Sequence, residues 1–303
     1  MEKTKNIAFI FLILSVYVFY SCGQSSLEIG ENTYVPKIVI DGYLYPGQKV
    51  EKIKITRNIP VNTYPDPASL ILFNSDVRIT DLQNGKEYKL TYNFQKLYFE
   101  YNGNDLIIGY DKSYKLSVSS MIDGKSLSAS STTLVPRKGF KIIDELSSSK
   151  SINYRETDPT GNEKKISITF SPSHGTGYYF FSIVSLNASD SSFIYNNPYV
   201  QVKNSDVGKN LDQYRYRFRW LQNVNWEGTF VSYSLEWINF WFYGDYRIIV
   251  YACDENFRLY NQTYKNVQEF DGNFHEPRMN INGDGIGIFG SAITDTLYIK
   301  VNK

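Results

Sequence analysis

Cys22 is the residue whose setting most plainly invites chemistry. In Phe19-Tyr20-Ser21-Cys22 a thiol directly follows a small residue at the end of an apolar run. A lipoprotein signal peptidase cuts before a cysteine whose sulfur has been acylated. This stretch reads as a loose form of that recognition site, with Tyr20 departing from its strict pattern. Upstream lie the other parts of a secretory leader: Lys3 and Lys5, then apolar residues from Ile7 to Tyr20 broken only by Ser15. Such a run is too short to stay as a spanning helix. Each acyl methylene buried in a bilayer contributes about 0.8 kcal/mol, so several chains on Cys22 make a stable anchor. No later segment reaches the ~18 uninterrupted apolar residues of a span. With Cys22 lipidated, Cys253 has no disulfide partner and reads as a small core residue.

The other constellations carry less. Gly285-Ile286-Gly287-Ile288-Phe289-Gly290 has the letters of a dinucleotide-binding turn. That turn must open a helix, whereas Thr294 to Val301 reads as strand, so the glycines are expected to serve turns and bulges. Asp271-Gly272-Asn273 and Asn282-Gly283-Asp284-Gly285 offer oxygen ligands without the spaced order of a calcium loop, and plain turns use the same residues. The two histidines, His174 and His275, fall in turn-rich sequence. A catalytic zinc needs a third protein ligand, and Glu276, next to His275, would point to the opposite face of an extended strand. Neither H-E-x-x-H nor G-x-S-x-G occurs. No metal, no cofactor and no catalytic residue is therefore assigned.

An aromatic set remains. Tyr214-Arg215-Tyr216-Arg217-Phe218-Arg219-Trp220 alternates rings with guanidinium groups. Trp220, Trp226, Trp237 and Trp241 with Arg217 form a speculative ligand platform, because flat rings stack on sugar faces and guanidinium groups grip anions. The competing and preferred reading puts the rings on the inner face of a sheet, with Arg215, Arg217 and Arg219 on its solvated face. Only the loop Asn223-Val224-Asn225-Trp226-Glu227-Gly228 lacks that explanation.

Strands must position these groups. Aromatics make up 16 % of the chain, with 26 Tyr and 19 Phe, and alanine is scarce, a balance that favours strands over helices. Of 32 basic and 31 acidic side chains the leader holds two and one, so the mature chain is neutral. Neutrality argues against nucleic acid as a partner and against a polybasic membrane patch. Residues 1–21 read as leader and 22–34 as a lipidated tether. Residues 35–137 carry about seven short strands, with turns at Asn84-Gly85 and Asp123-Gly124, and predict an immunoglobulin-like β-sandwich. Val135-Pro136-Arg137 reads as the linker. Residues 138–303 predict a second β-sandwich with one helix over Asp254 to Tyr264, capped by Asp254 and carrying Phe257, Tyr260 and Tyr264 at helical spacing. The fold class expected is all-β.

Several short motifs, in this order, resemble a family of Bacteroidota lipoproteins known as domain of unknown function 4249. They are Lys37-Ile38-Val39-Ile40-Asp41-Gly42, Ile53 to Pro60, Thr133-Leu134-Val135-Pro136, Gly177-Tyr178-Tyr179-Phe180, Phe274 to Pro277, Asn280-Ile281-Asn282-Gly283 and Gly287-Ile288-Phe289. Such lipoproteins are typically encoded beside TonB-dependent outer-membrane receptors. The resemblance therefore implies a non-catalytic accessory or ligand-binding subunit of nutrient uptake, lipid-anchored at the outer membrane, with such a receptor as partner. It brings no catalytic residues with it. Gly23 to Leu27 lack the acidic cluster that often marks surface export, which leaves the periplasmic and cell-surface faces both open. Two other classes stay open: a surface hydrolase acting on glycan or peptide through an acid pair, and a structural or adhesive surface protein.

Overall fold

Alternating apolar and polar side chains organise the chain from Ile38 onward. The computed structural model describes residues 34–60, 63–199, 207–264 and 278–303. The expected leader, the tether with Cys22, the turn at residues 271–273 and the pair His275 and Glu276 lie outside them. The N-terminal half contains β1 (Ile38–Leu44), β2 (Lys54–Arg57), β3 (Asp76–Asp81), β4 (Lys86–Lys89), β5 (Thr91–Asn93), β6 (Tyr98–Glu100), β7 (Ser113–Ile122) and β8 (Lys125–Leu134). Along β7 the inward residues are Tyr114, Leu116 and Val118, the period-two pattern of a half-buried strand. Asp123 and Gly124, at φ 51° and 75°, join β7 to β8 as a two-residue hairpin, with Ile122 opposite Lys125. The Asn84-Gly85 turn is looser: Asp81 faces Lys86 across a four-residue connection, and Gly85 alone takes the positive φ there.

The C-terminal half contains β9 (Lys141–Ile142), β10 (Ser151–Asn153), β11 (Ile166–Ser171), β12 (Tyr178–Ser185), α1 (Leu211–Arg215), β13 (Tyr216–Gln222), β14 (Val231–Leu235), β15 (Gly244–Cys253), α2 (Glu255–Thr263), β16 (Asn282–Gly283) and β17 (Gly285–Asn302). Sheet β14-β11-β9 faces strands β13-β12-β15-β17, and Phe170, Tyr179, Phe181, Trp237, Phe240 and Ile248 fill the space between. The second core lies under sheet β16-β8-β7-β3-β4 and includes Ile38, Ile40, Ile55, Val77, Leu116 and Phe289. The architecture is mostly β and sandwich-like, as expected. The helix proposed over Asp254 to Tyr264 is α2, and the five-residue α1 was not foreseen.

One strand joins the halves. The first part of β17 runs parallel to β1, with Ile40 opposite Gly287, and the rest runs antiparallel to β15, with Ile248 opposite Leu297. Phe289, from beyond the expected boundary at residue 137, packs in the N-terminal core, and residues 36–303 form one compact unit. The glycines that resembled a nucleotide turn permit this crossing. A side chain at Gly287, whose φ is +108°, would sit 2.1 Å from the carbonyl oxygen of Ile40. At Gly290 it would sit 3.1 Å from the Asp254 carboxylate.

Candidate functional site

Where the two halves meet, the first turn of α2 is tied to both by buried polar groups. Asp254 caps the helix, its Oδ1 accepting the Phe257 N–H at 2.9 Å. Its Oδ2 accepts the Thr133 hydroxyl at 2.5 Å, and the Ser291 hydroxyl lies 2.7 Å from the same Thr133 oxygen. The Asn256 amide donates to the carbonyls of Thr132 at 2.7 Å and Phe289 at 2.8 Å, while the Asn280 amide donates to Asn256. Burial pushes the Asp254 carboxyl up to about 6, against the lowering effect of these hydrogen bonds. This hydrogen-bonded cluster is the base of a cleft of about 820 Å³.

Three loops wall the cleft. After β8, Pro136 ends the strand and Arg137 projects: its Nε donates to Asp111 at 3.1 Å and its Nη1 to His174 Nδ1 at 3.0 Å. A guanidinium only donates, so Nδ1 accepts and the His174 proton sits on Nε2. His174 itself rides on a turn in which the Thr176 N–H meets the Ser173 carbonyl, with Gly175 at φ +82°. The third loop, after β13, holds Trp226 in an Asx turn made by Asn225 Oδ1 and the Glu227 N–H at 3.2 Å. The Trp226 indole lies over Gly177, where a Cβ would meet its ring at 3.4 Å. At the α2 side Arg258 pairs with Glu255 at 2.8 Å and with Gln262 at 2.7 Å.

Deeper in the wall stand Tyr178 and Cys253. Burial raises both above their ordinary values, keeping the phenol and the thiol protonated. Tyr178 is 4 % exposed, and its hydroxyl has no hydrogen-bond partner among the described residues. Its ring is stacked on Trp220, centroids 5.2 Å apart.

The aromatic set expected as a platform does not assemble. Trp226 alone, 39 % exposed, presents a ring to the cleft, and Trp220 backs Tyr178 from behind. Trp237 and Trp241 are core residues at 1 % and 3 % exposure. Arg217 is half-buried over Trp241 at 5.1 Å. The Trp237 Nε1 donates to the Lys164 carbonyl at 2.9 Å. Trp237→Phe should therefore cost about 1–2 kcal/mol in denaturant unfolding, by orphaning that acceptor, and leave ligand binding unchanged.

The faces of β13 are also reversed from the preferred reading. Val184, Ser182 and Phe180 of β12 pair with Tyr216, Phe218 and Trp220, so these rings share the outer face of the sheet. Tyr216 and Phe218 are 41 % and 40 % exposed. The arginines instead close the strand edge: Arg219 donates to the Phe218 carbonyl at 2.8 Å and Arg217 to Gln213 at 2.6 Å. Strict alternation says that a strand has two unlike faces but not which one meets the core. The sequence reading overlooked Tyr178, Arg137 and Arg258 as wall residues, since only the meeting of distant segments collects them. Asp284, weighed as a calcium ligand, accepts the Ser128 N–H at 3.1 Å in a strand connection.

Comparison with known proteins gives a family. The family model described as "Domain of unknown function (DUF4249)" matches residues 25–297. No curated protein matches the chain. Among solved structures, one from work on host cell surface retention of a 1.5-MDa bacterial ice-binding adhesin aligns over 89 % of this chain at 14 % identity, with a TM-score of 0.22. A tetra-tandem repeat from the extending region of a large adhesion protein aligns over 87 % at 10 % identity and TM-score 0.22. The FN1-FN3 domains of chicken CNTN1 align over 84 % at 8 % identity and TM-score 0.17. The chain spans 65 % of the first of these, 49 % of the second and 68 % of the third.

Proposed function

Since the chain belongs to the DUF4249 family, matched over most of its length, we propose that it is a non-catalytic ligand-binding or accessory lipoprotein of a TonB-dependent uptake system in the bacterial envelope. The cleft between the two cores is the observation that carries the binding role. It is concave, built on a hydrogen-bonded base, and rimmed by an exposed indole, the common design of a small-ligand site. Its charged groups are engaged with one another: Arg137 with Asp111, Arg258 with Glu255. The leader and Cys22 supply the anchor in this reading. A purely adhesive role has no need of such a cavity.

Affinity purification of the tagged protein from membranes solubilised in mild detergent tests the role. A TonB-dependent receptor is expected in the eluate, and its loss when Cys22→Ala is expressed. Recovery of the protein alone under conditions that keep outer-membrane complexes intact would overturn it. The hydrolase reading has one observation in its favour, the raised Asp254 carboxyl in the cleft wall. Both oxygens of that carboxyl already accept hydrogen bonds within the fold, which supports a structural role for it.

A further inference from the structure

The geometry points to a neutral saccharide as the occupant of the cleft, an assignment that rests on the ligand-binding role proposed above. Charge comes first. Each guanidinium of the wall already faces a carboxylate, Arg137 with Asp111 and Arg258 with Glu255, and the Asp254 oxygens are spent on Thr133 and Phe257. A charged ligand would have to break one of these pairs to find its counter-ion. An uncharged ligand meets them as a ready-made set of hydrogen-bonding groups.

The apolar contact is equally specific. The indole of Trp226 rests against Gly177, where a Cβ would already touch the ring, and is held in place by the Asn225 turn. It is 39 % exposed in the rim of the cleft. A pyranose ring turns a patch of C–H groups toward such a surface, and the negative face of the indole attracts them. The exposed rings on the outer face of the sheet lack this geometry. Phe218 stacks on the half-buried Phe180 at 5.3 Å with planes 15° apart, and the Arg215 guanidinium lies over the Tyr216 ring at 5.4 Å, so each exposed ring already has a face engaged.

The third observation is the Tyr178 hydroxyl. Tyr178 lines the same wall and is 4 % exposed, and its hydroxyl oxygen is buried with no partner among the described residues. Burial keeps it a neutral phenol able to donate. A sugar hydroxyl both donates and accepts, and would satisfy it without bringing a charge into the wall. Thr132, Thr176, Gln222 and Asn223 add further uncharged groups to the lining. The volume of about 820 Å³ suits a short oligosaccharide better than a single ring.

Titration of the full lipidated protein, in a detergent without a sugar headgroup, tests the assignment. The probes are neutral gluco-, manno- and xylo-hexaoses, an oligogalacturonate and a mixed hexapeptide library, read by calorimetry and tryptophan fluorescence. At least one neutral hexaose should bind and change the fluorescence. Trp226→Ala should weaken it by tenfold or more, and Tyr178→Phe by about fivefold with an unchanged or higher Tm. Binding of only the oligogalacturonate or the peptides would overturn the assignment. So would neutral-sugar binding that Trp226→Ala and Tyr178→Phe both leave intact, or no binding to any probe by folded protein. Receptor co-purification without sugar binding would refute this assignment alone. Sugar binding without receptor co-purification would refute the uptake role alone.

Discussion

Gly287→Ala should destabilise the protein by about 4 kcal/mol, combining a strained backbone of about 1–3 kcal/mol with overpacking of about 1–3 kcal/mol. Gly287 sits opposite Ile40 in the parallel pairing of β1 with β17, at φ +108°. Its added Cβ would lie 2.1 Å from the Ile40 carbonyl oxygen and 3.0 Å from the Ile40 nitrogen. No rotamer change relieves this clash, because both partners are backbone. The chain must either open the β1–β17 ladder or shift β1 against β2, where Ile40 faces Ile55. Equilibrium denaturant unfolding measures the loss, and hydrogen exchange should show the amides of β1 losing protection before those of β15. A loss under 1 kcal/mol would mean that β1 does not pair with β17 in this register.

Asp254→Asn should remove a pH dependence worth about 3 kcal/mol from the stability of the protein. Burial raises the folded-state value of Asp254 to about 6 from an ordinary value of 3.8. The folded state therefore holds this proton more tightly than the unfolded chain does. The resulting stabilisation is fully present below about pH 4, is lost as pH rises through 6, and stays lost above it. Asparagine keeps an oxygen for the Phe257 N–H but does not titrate, so the difference between the two proteins should grow from pH 4 to pH 6 in favour of the variant. Asp254→Ala, by contrast, removes the cap and should cost about 1–2 kcal/mol at acidic pH, where wild-type Asp254 is uncharged. Thermal unfolding of the three proteins between pH 4 and pH 8 separates these effects. Parallel curves for wild type and Asp254→Asn would show that Asp254 is ionised throughout and that its burial is not felt.

The two positions differ in how far neighbouring residues fix their roles. Asp254 as a helix cap was legible because capping is local: an acid precedes a run with Phe257, Tyr260 and Tyr264 on one face. Gly287 was legible only as something other than a nucleotide turn. Its actual requirement is the carbonyl of Ile40, a residue from the opposite end of the chain. Of the aromatic and arginine residues singled out as a binding set, Trp226 lines the cleft because its loop had no strand pattern to absorb it. Trp237 and Trp241 had apolar neighbours, Phe240 and Phe242, that draw them into the core.

By itself the sequence determined that the body is built of strands, where the Asp123-Gly124 hairpin turns, where α2 begins, and to which family the chain belongs. The first three follow from interactions among residues a few positions apart, whose geometry is set by backbone sterics and nearby hydrogen bonds. Only the tertiary structure decided that β17 threads both cores, that Tyr216 and Phe218 of β13 face outward, and that Arg137, Tyr178, Trp226 and Arg258 surround one cleft. A period of two makes a strand amphipathic without naming its partner or its buried side. Those choices are made by long-range packing, which pays the entropy of joining distant segments only when the whole core closes.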